Sequence, residues 1–240
     1  MNPLQRALAI ALVVGAGLAA GFLSYRLRSG RPLQPFVSQP ANAPGTATPG
    51  TDEPDAGAPE PHPPSRPVPT DVPDVSLPDL AGTPRSLRSF GAHPLIINFW
   101  ATWCAPCRRE IPLLQALRTR YRADKLEIVG IAVDFRASVQ QYLTHTPIDY
   151  PLLVGEQEGL KAAEQFGMEM VLPFSVFADS KGHVVAVKIG ELHADEADFI
   201  LTEIRAVDQG KADLTQARQS IQGALRELAV RRAKAQQNGG

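Results

Sequence analysis

Two cysteines occur in the 240 residues, and they stand three positions apart in the run Trp103-Cys104-Ala105-Pro106-Cys107. A pair at this spacing can staple a chain, ligate a metal, hold haem, or cycle between dithiol and disulfide. Two cysteines are too few for a disulfide-built scaffold, and a bond between them closes a loop so small that it removes little unfolded-state entropy. A structural zinc site needs four ligands, and no second pair is present. His93, His145, His183 and His193 show no paired ligand spacing and read as surface or core histidines. Covalent haem attachment would need a histidine after Cys107, where Arg108 stands. Exposed thiols bind Cu(I), so a copper- or partner-binding module without turnover remains the alternative. Reversible thiol–disulfide chemistry accounts for the pair best, and it calls for no bound cofactor or metal.

That chemistry needs one sulfur held as an anion and a second placed to displace whatever becomes attached to it. The apolar run LIINFW, residues 95–100, reads as a buried strand, and residues 105–123 follow with helical character. Cys104 therefore falls where strand gives way to helix. Unpaired amides and the positive end of the helix dipole lower the pKa of a thiol there. Cys104 is the expected nucleophile, and Cys107, one turn later and facing inward, the resolving thiol. Pro106 lies in the first turn, where a missing amide proton does no harm. Downstream the pattern predicts a strand over 127–133, a helix over 138–144, the short apolar run YPLLVG, and a helix over 158–166. A hairpin of 173–177 and 183–189 about the turn ADSKG comes next, then a helix over 196–206. Strands alternating with helices and ending in a hairpin imply an α/β fold, a mixed sheet with helices on both faces.

The stretch Ile97-Asn98-Phe99-Trp100-Ala101-Thr102-Trp103-Cys104-Ala105-Pro106-Cys107-Arg108 resembles the active-site signature of the thioredoxin superfamily. Its nearer likeness is to the membrane-anchored TlpA/ResA-like group, which includes the reductants of cytochrome c maturation. Glu110-Ile111-Pro112 is similar too, with Pro112 expected to kink the helix, and the segment ahead of Pro173 resembles that group's central insertion. Leu172-Pro173 looks like the family's cis-proline, which sits against the redox pair and helps hold a substrate chain. The resemblance thus implies a substrate-binding surface of Trp103, Ala105, Pro106, Leu172 and Pro173, with Trp100 in the core. Arg108 and Arg109 read as solvated helix residues acting on the Cys104 thiolate. Asn98 stands where thioredoxin carries a buried acid, so proton transfer at Cys107 cannot use a carboxylate at that position. Phe174 stands where relatives commonly place Thr or Glu, which bears on substrate preference. A peroxidase of related fold would set its attacking cysteine in a different local motif, which is not seen. Proline before the second cysteine resembles the reducing members. The implied activity is reduction, with oxidation as the rival direction, of disulfides in extracytoplasmic client proteins, with a membrane-embedded thiol relay as electron donor.

The rest of the chain would place this domain. Residues 7–25 carry no charge, and as a helix they would span roughly 28 Å, close to one bilayer core. They read as a retained anchor within a segment 1–31; small residues at Gly17, Ala19 and Ala20 offer the rival reading of a cleaved signal. Arg26, Arg28 and Arg31 outnumber Arg6 plus the amino terminus, which by the positive-inside rule alone would put the C-terminal side in the cytoplasm. The downstream features are better suited to the other side, so the expected location is the inner membrane, single-pass, with the folded domain in the periplasm. Residues 32–74 form a Pro/Ala-rich linker, expected to be disordered with polyproline II character, in which His62 is solvated. Fourteen of the 22 prolines lie between Pro32 and Pro78. Fully extended, such a linker reaches ~120 Å. The thioredoxin-like domain is expected over 75–206 and a helical extension over 207–240. In that extension Leu214, Ala217, Ile221, Leu225 and Leu228 share a face that would pack on the domain, with partner binding or self-association and contact with a membrane surface as the rival readings. The net charge of -1 supplies no field to recruit nucleic acid.

Overall fold

The computed structural model describes residues 67–169 and 171–238. In chain order these form β1 (Ser76–Pro78), β2 (Pro84–Ser86), β3 (Leu95–Trp100), α1 (Ala105–Arg120), β4 (Glu127–Ala132), α2 (Arg136–Leu143) and β5 (Leu152–Val154). There follow α3 (Glu156–Gln165), β6 (Phe174–Ala178), β7 (Val184–Ile189), α4 (Ala194–Asp208) and α5 (Leu214–Asn238). One sheet runs β5-β4-β3-β6-β7. β3, β4 and β5 are parallel, while β6 is antiparallel to both β3 and β7.

Alternation along β3 decides the layering, because successive side chains of a strand point to opposite faces. Ile96 and Trp100 pack on one face with Ile111, Leu114 and Leu117 of α1 and Ile200 and Ile204 of α4. Leu95, Ile97 and Phe99 pack on the other with Ala162 and Ala163 of α3 and with Leu77 and Leu87 from the β1–β2 region. Cover on both faces explains why all six residues of β3 are buried. Asn98 lies on the Ile96/Trp100 face, beneath α1. The mixed sheet with helices on both faces is the arrangement expected from the strand and helix pattern, and it agrees with the thioredoxin-like fold that the active-site resemblance implies.

Several boundaries differ from that reading. Attachment to the sheet reaches back before residue 75: Val72 is buried, its N–H donates to Gly182 O at 2.9 Å, and Thr70 O accepts from Val184 N at 2.9 Å. Pro69 and Pro73 lack amide protons, but at a sheet edge the intervening residues still supply the bonds that are needed. Proline content thus masked an edge pairing. The β1–β2 hairpin was not foreseen, since three-residue strands carry too few side chains to show a period. Pro112 lies inside α1 without ending it.

α5 packs on the domain as expected, through Ala217 and Ile221, both buried. Arg218 of α5 donates from Nη2 to Val184 O at 2.6 Å, and Arg232 pairs with Asp195 and Glu196 at the start of α4. Among the described residues no helix is long and apolar enough to cross a membrane. The span expected over 7–25 and most of the linker, 32–66, lie outside them.

Gly130 of β4 lies close against side chains from β3 and β5. A Cβ there would lie 2.7 Å from Leu152 Cδ2, 3.1 Å from Tyr150 Cε2 and 3.2 Å from Trp100 Nε1. The two ring contacts cannot swing aside as a methyl can, so Gly130→Ala is expected to destabilise by about 1–3 kcal/mol. A urea midpoint unchanged from the parent would contradict this.

Candidate functional site

The loop that leaves β3 is fixed by a single carboxylate. Asp134, buried after β4, accepts on Oδ2 from both the Thr102 amide (2.9 Å) and the Thr102 hydroxyl (2.6 Å), and on Oδ1 from the Phe135 amide (2.7 Å). The chain then enters α1 with Cys104 as N-cap, in extended conformation (φ -83, ψ 104). Its sulfur accepts the Cys107 amide at 3.3 Å, the role an N-cap oxygen usually fills. Cys104 and Cys107 form a disulfide with Cα atoms 5.3 Å apart. Cys107 is fully buried, whereas 6% of Cys104 reaches solvent, so the edge of Cys104 is the accessible part of the pair. When the bond is reduced, the same amide and the helix dipole favour the thiolate form of Cys104.

The other expected site residues surround this pair. Trp103 is exposed, Ala105 is exposed, and Pro106 is half-buried at the second helical position. The Leu172–Pro173 peptide is cis. Phe99 pairs with Phe174, which puts Pro173 one step on, level with Trp100 at the end of β3 that leads into Cys104. Leu172 packs against the buried cluster that holds both cysteines. Trp100 is buried, its ring 5.6 Å from that of Tyr142. Phe174 departs from expectation. Its ring is buried on the far face and stacked on Phe99 at 4.2 Å, so it contributes to the core and cannot touch a substrate. Arg108 is exposed, and Arg109 forks onto Glu191, tying the first turns of α1 to the loop before α4. His183 bonds Asp179 at 2.8 Å and His193 caps α4.

The residue that sequence reasoning undervalued is Glu110. It is 1% exposed, three positions after Cys107 on the same buried face of α1. Its Oε1 accepts from Asn98 Nδ2 at 2.7 Å and its Oε2 from the Leu192 amide at 2.7 Å. Burial pushes its pKa up to about 7, against the pull of the Leu192 and Asn98 hydrogen bonds, with the neighbouring charge of Glu191 adding to the rise. The acid missing from the strand at Asn98 is thus supplied from the helix. A charged residue in register with Cys107, Ile111 and Leu114 was the available signal. Asn98 Nδ2 also donates to Ser175 Oγ at 3.0 Å, while Asn98 Oδ1, Trp100 Nε1 and Tyr150 Oη are buried with no hydrogen-bond partner among the described residues. Burial, with the Glu110 charge second, raises the Tyr150 hydroxyl well above its ordinary value.

Residues 68–187 match the AhpC/TSA family. The thioredoxin-like protein YneN of Bacillus subtilis (strain 168) is 32% identical over 130 residues, covering 52% of this chain and 74% of that one. The thiol-disulfide oxidoreductase ResA of Geobacillus kaustophilus (strain HTA426) is 27% identical over 139 residues, covering 58% of this chain and 78% of that one. A crystal structure from Chlorobium tepidum, described as a thiol:disulfide interchange protein DsbE, superposes with a TM-score of 0.51 at 22% identity, over 59% of this chain and 96% of that one. That likeness is one of fold.

Proposed function

This chain belongs to the AhpC/TSA family, and from that premise we propose that it is a thiol–disulfide oxidoreductase that reduces client-protein disulfides through Cys104 and Cys107. The observation that carries the reading is the N-cap position of Cys104, bonded to a fully buried Cys107 with the Glu110 carboxyl on the same helix face. The name and similarity of ResA support the activity.

The reduced pair acts in two displacements. The Cys104 thiolate attacks one sulfur of the client disulfide, forming a mixed disulfide and releasing the other client sulfur as thiolate. Cys107 then gives its proton to the Glu110 carboxylate and attacks the Cys104 sulfur. The Cys104–Cys107 bond forms, the second client thiolate leaves, and both client thiolates take up protons. Two electrons have passed to the client, and a dithiol partner must return them.

Proton uptake reverses the polarity of the bond between Glu110 and Asn98. A carboxylic O–H must donate, and Asn98 Oδ1 becomes the acceptor after a half-turn of the amide. Near pH 7 the two protonation states of Glu110 are close in energy, which suits a group that takes and returns one proton per cycle.

A membrane-embedded thiol relay as that partner, and a periplasmic position tethered to the inner membrane, are parts of the same proposal. The membrane position is supported by the uncharged stretch 7–25 and the proline-rich stretch after it, and the relay by the need for a dithiol that returns the electrons. The test is alkylation of the reduced full chain as a function of pH, with exchange against a protein disulfide. Cys104 is expected to titrate below the ordinary thiol value of about 8.5 and to exchange readily at neutral pH. Thiols inert to exchange at neutral pH would overturn the reading.

A further inference from the structure

We propose that Phe135 joins Trp103 in a two-ring clamp that selects client segments with apolar side chains beside the reacting cysteine, an inference that rests on the oxidoreductase reading. Among the described residues three large apolar side chains are exposed: Trp103 at 68%, Phe135 at 62% and Val230 at 52%. The loops that carry the first two are joined by one group. Asp134 holds Thr102 on one oxygen and the Phe135 amide on the other, so the residues following the two ends of that bridge, Trp103 and Phe135, are the two exposed rings. Both loops leave the carboxyl ends of adjacent parallel strands, β3 and β4, the edge at which open α/β sheets receive their ligands.

Phe135 gains nothing locally from its position. It is the N-cap of α2 and makes no side-chain cap hydrogen bond, where Ser, Thr, Asp or Asn would satisfy a helix amide. A cap given up for a solvent-exposed ring is a local rule broken, and such breaks concentrate at functional sites. The occupant follows from the position of the sulfur. Little of Cys104 is accessible, so a client cysteine must come in alongside Trp103, its chain neighbour, and the residues next to that cysteine then lie over the paired loops. Apolar side chains there cover both rings, whereas polar ones are desolvated without a partner. The partner is therefore an extended, disulfide-bearing segment with apolar residues flanking its cysteine.

The experiment uses the reduced full chain and two peptides, each with one cysteine in mixed disulfide with 2-mercaptoethanol. They are identical except for Leu or Ser on both sides of that cysteine. The parent protein is expected to react with the Leu peptide about tenfold faster. Phe135→Ala should cut that preference to about twofold, and Phe135→Ser, which restores a helix cap, should cut it as far. Phe135→Trp should keep it. A tenfold preference that survives in Phe135→Ala and Phe135→Ser, or a parent that treats the two peptides alike, overturns the clamp while leaving the oxidoreductase reading in place. A parent that reacts with neither peptide sinks that reading and the clamp with it.

Discussion

Replacing Cys107 by Ala is expected to leave the reduced protein covalently joined to the disulfide it attacks. Cys104 is unchanged in that variant, still at the helix start with an amide directed at its sulfur, so the first displacement proceeds. The second cannot, because the sequence contains no third cysteine. Resolution then waits for an external thiol, and the advantage of an internal nucleophile is forfeited; turnover should fall by at least roughly 10³-fold. Cys104→Ala should lose activity as fully but capture nothing, since Cys107 is shut away from solvent. Non-reducing electrophoresis and the mass of the adduct read both outcomes. Adducts on the Cys104 variant, or continued turnover without Cys107, would show that the roles are misassigned. A copper- or partner-binding module would form no adduct in either.

Glu110→Gln should change rate and stability in opposite directions. The rate falls because Gln cannot accept the Cys107 proton; loss of a positioned base costs roughly 10²-fold. The parent's rate should also rise with pH through about 7, and that limb should vanish in the variant. Stability moves the other way. The folded-state pKa of Glu110 is raised from 4.5 to about 7, so over that window the unfolded chain has released a proton that the folded chain retains. Folding stability therefore declines as pH rises from 4.5 to 7 and stays at the lower level above it, a loss of about 3 kcal/mol. Gln carries no charge to desolvate. With Asn98 turned, it keeps a bond to that amide and another to the Leu192 N–H. Urea denaturation of the oxidised protein at pH 5 and pH 8 should show the parent losing stability between them and the variant holding it. If both fall alike, Glu110 is not the titrating group.

Most of the sheet was legible because burial on both faces leaves a strong signature. LIINFW and EIVGIA are near-continuous runs of branched and aromatic residues, and each is a central strand. β1 and β2 left no such trace, and the attachment of Thr70 and Val72 was hidden among prolines. Phe174 shows the converse error. Its place after Pro173, where relatives commonly carry Thr or Glu, suggested a bearing on substrate preference, but its ring is buried and stacked on Phe99.

The amino acids in order were sufficient to identify the sulfur pair, its place at a helix start and the strand that leads into it, because those are relations between near neighbours. They could not supply the Asn98–Glu110–Leu192 contact or the bridge from Asp134 to Thr102. Those partners lie 12 to 82 positions apart and meet only when the strands register and the helices settle on them. The chemistry of a buried carboxyl depends on what surrounds it, and its surroundings exist only in the folded chain.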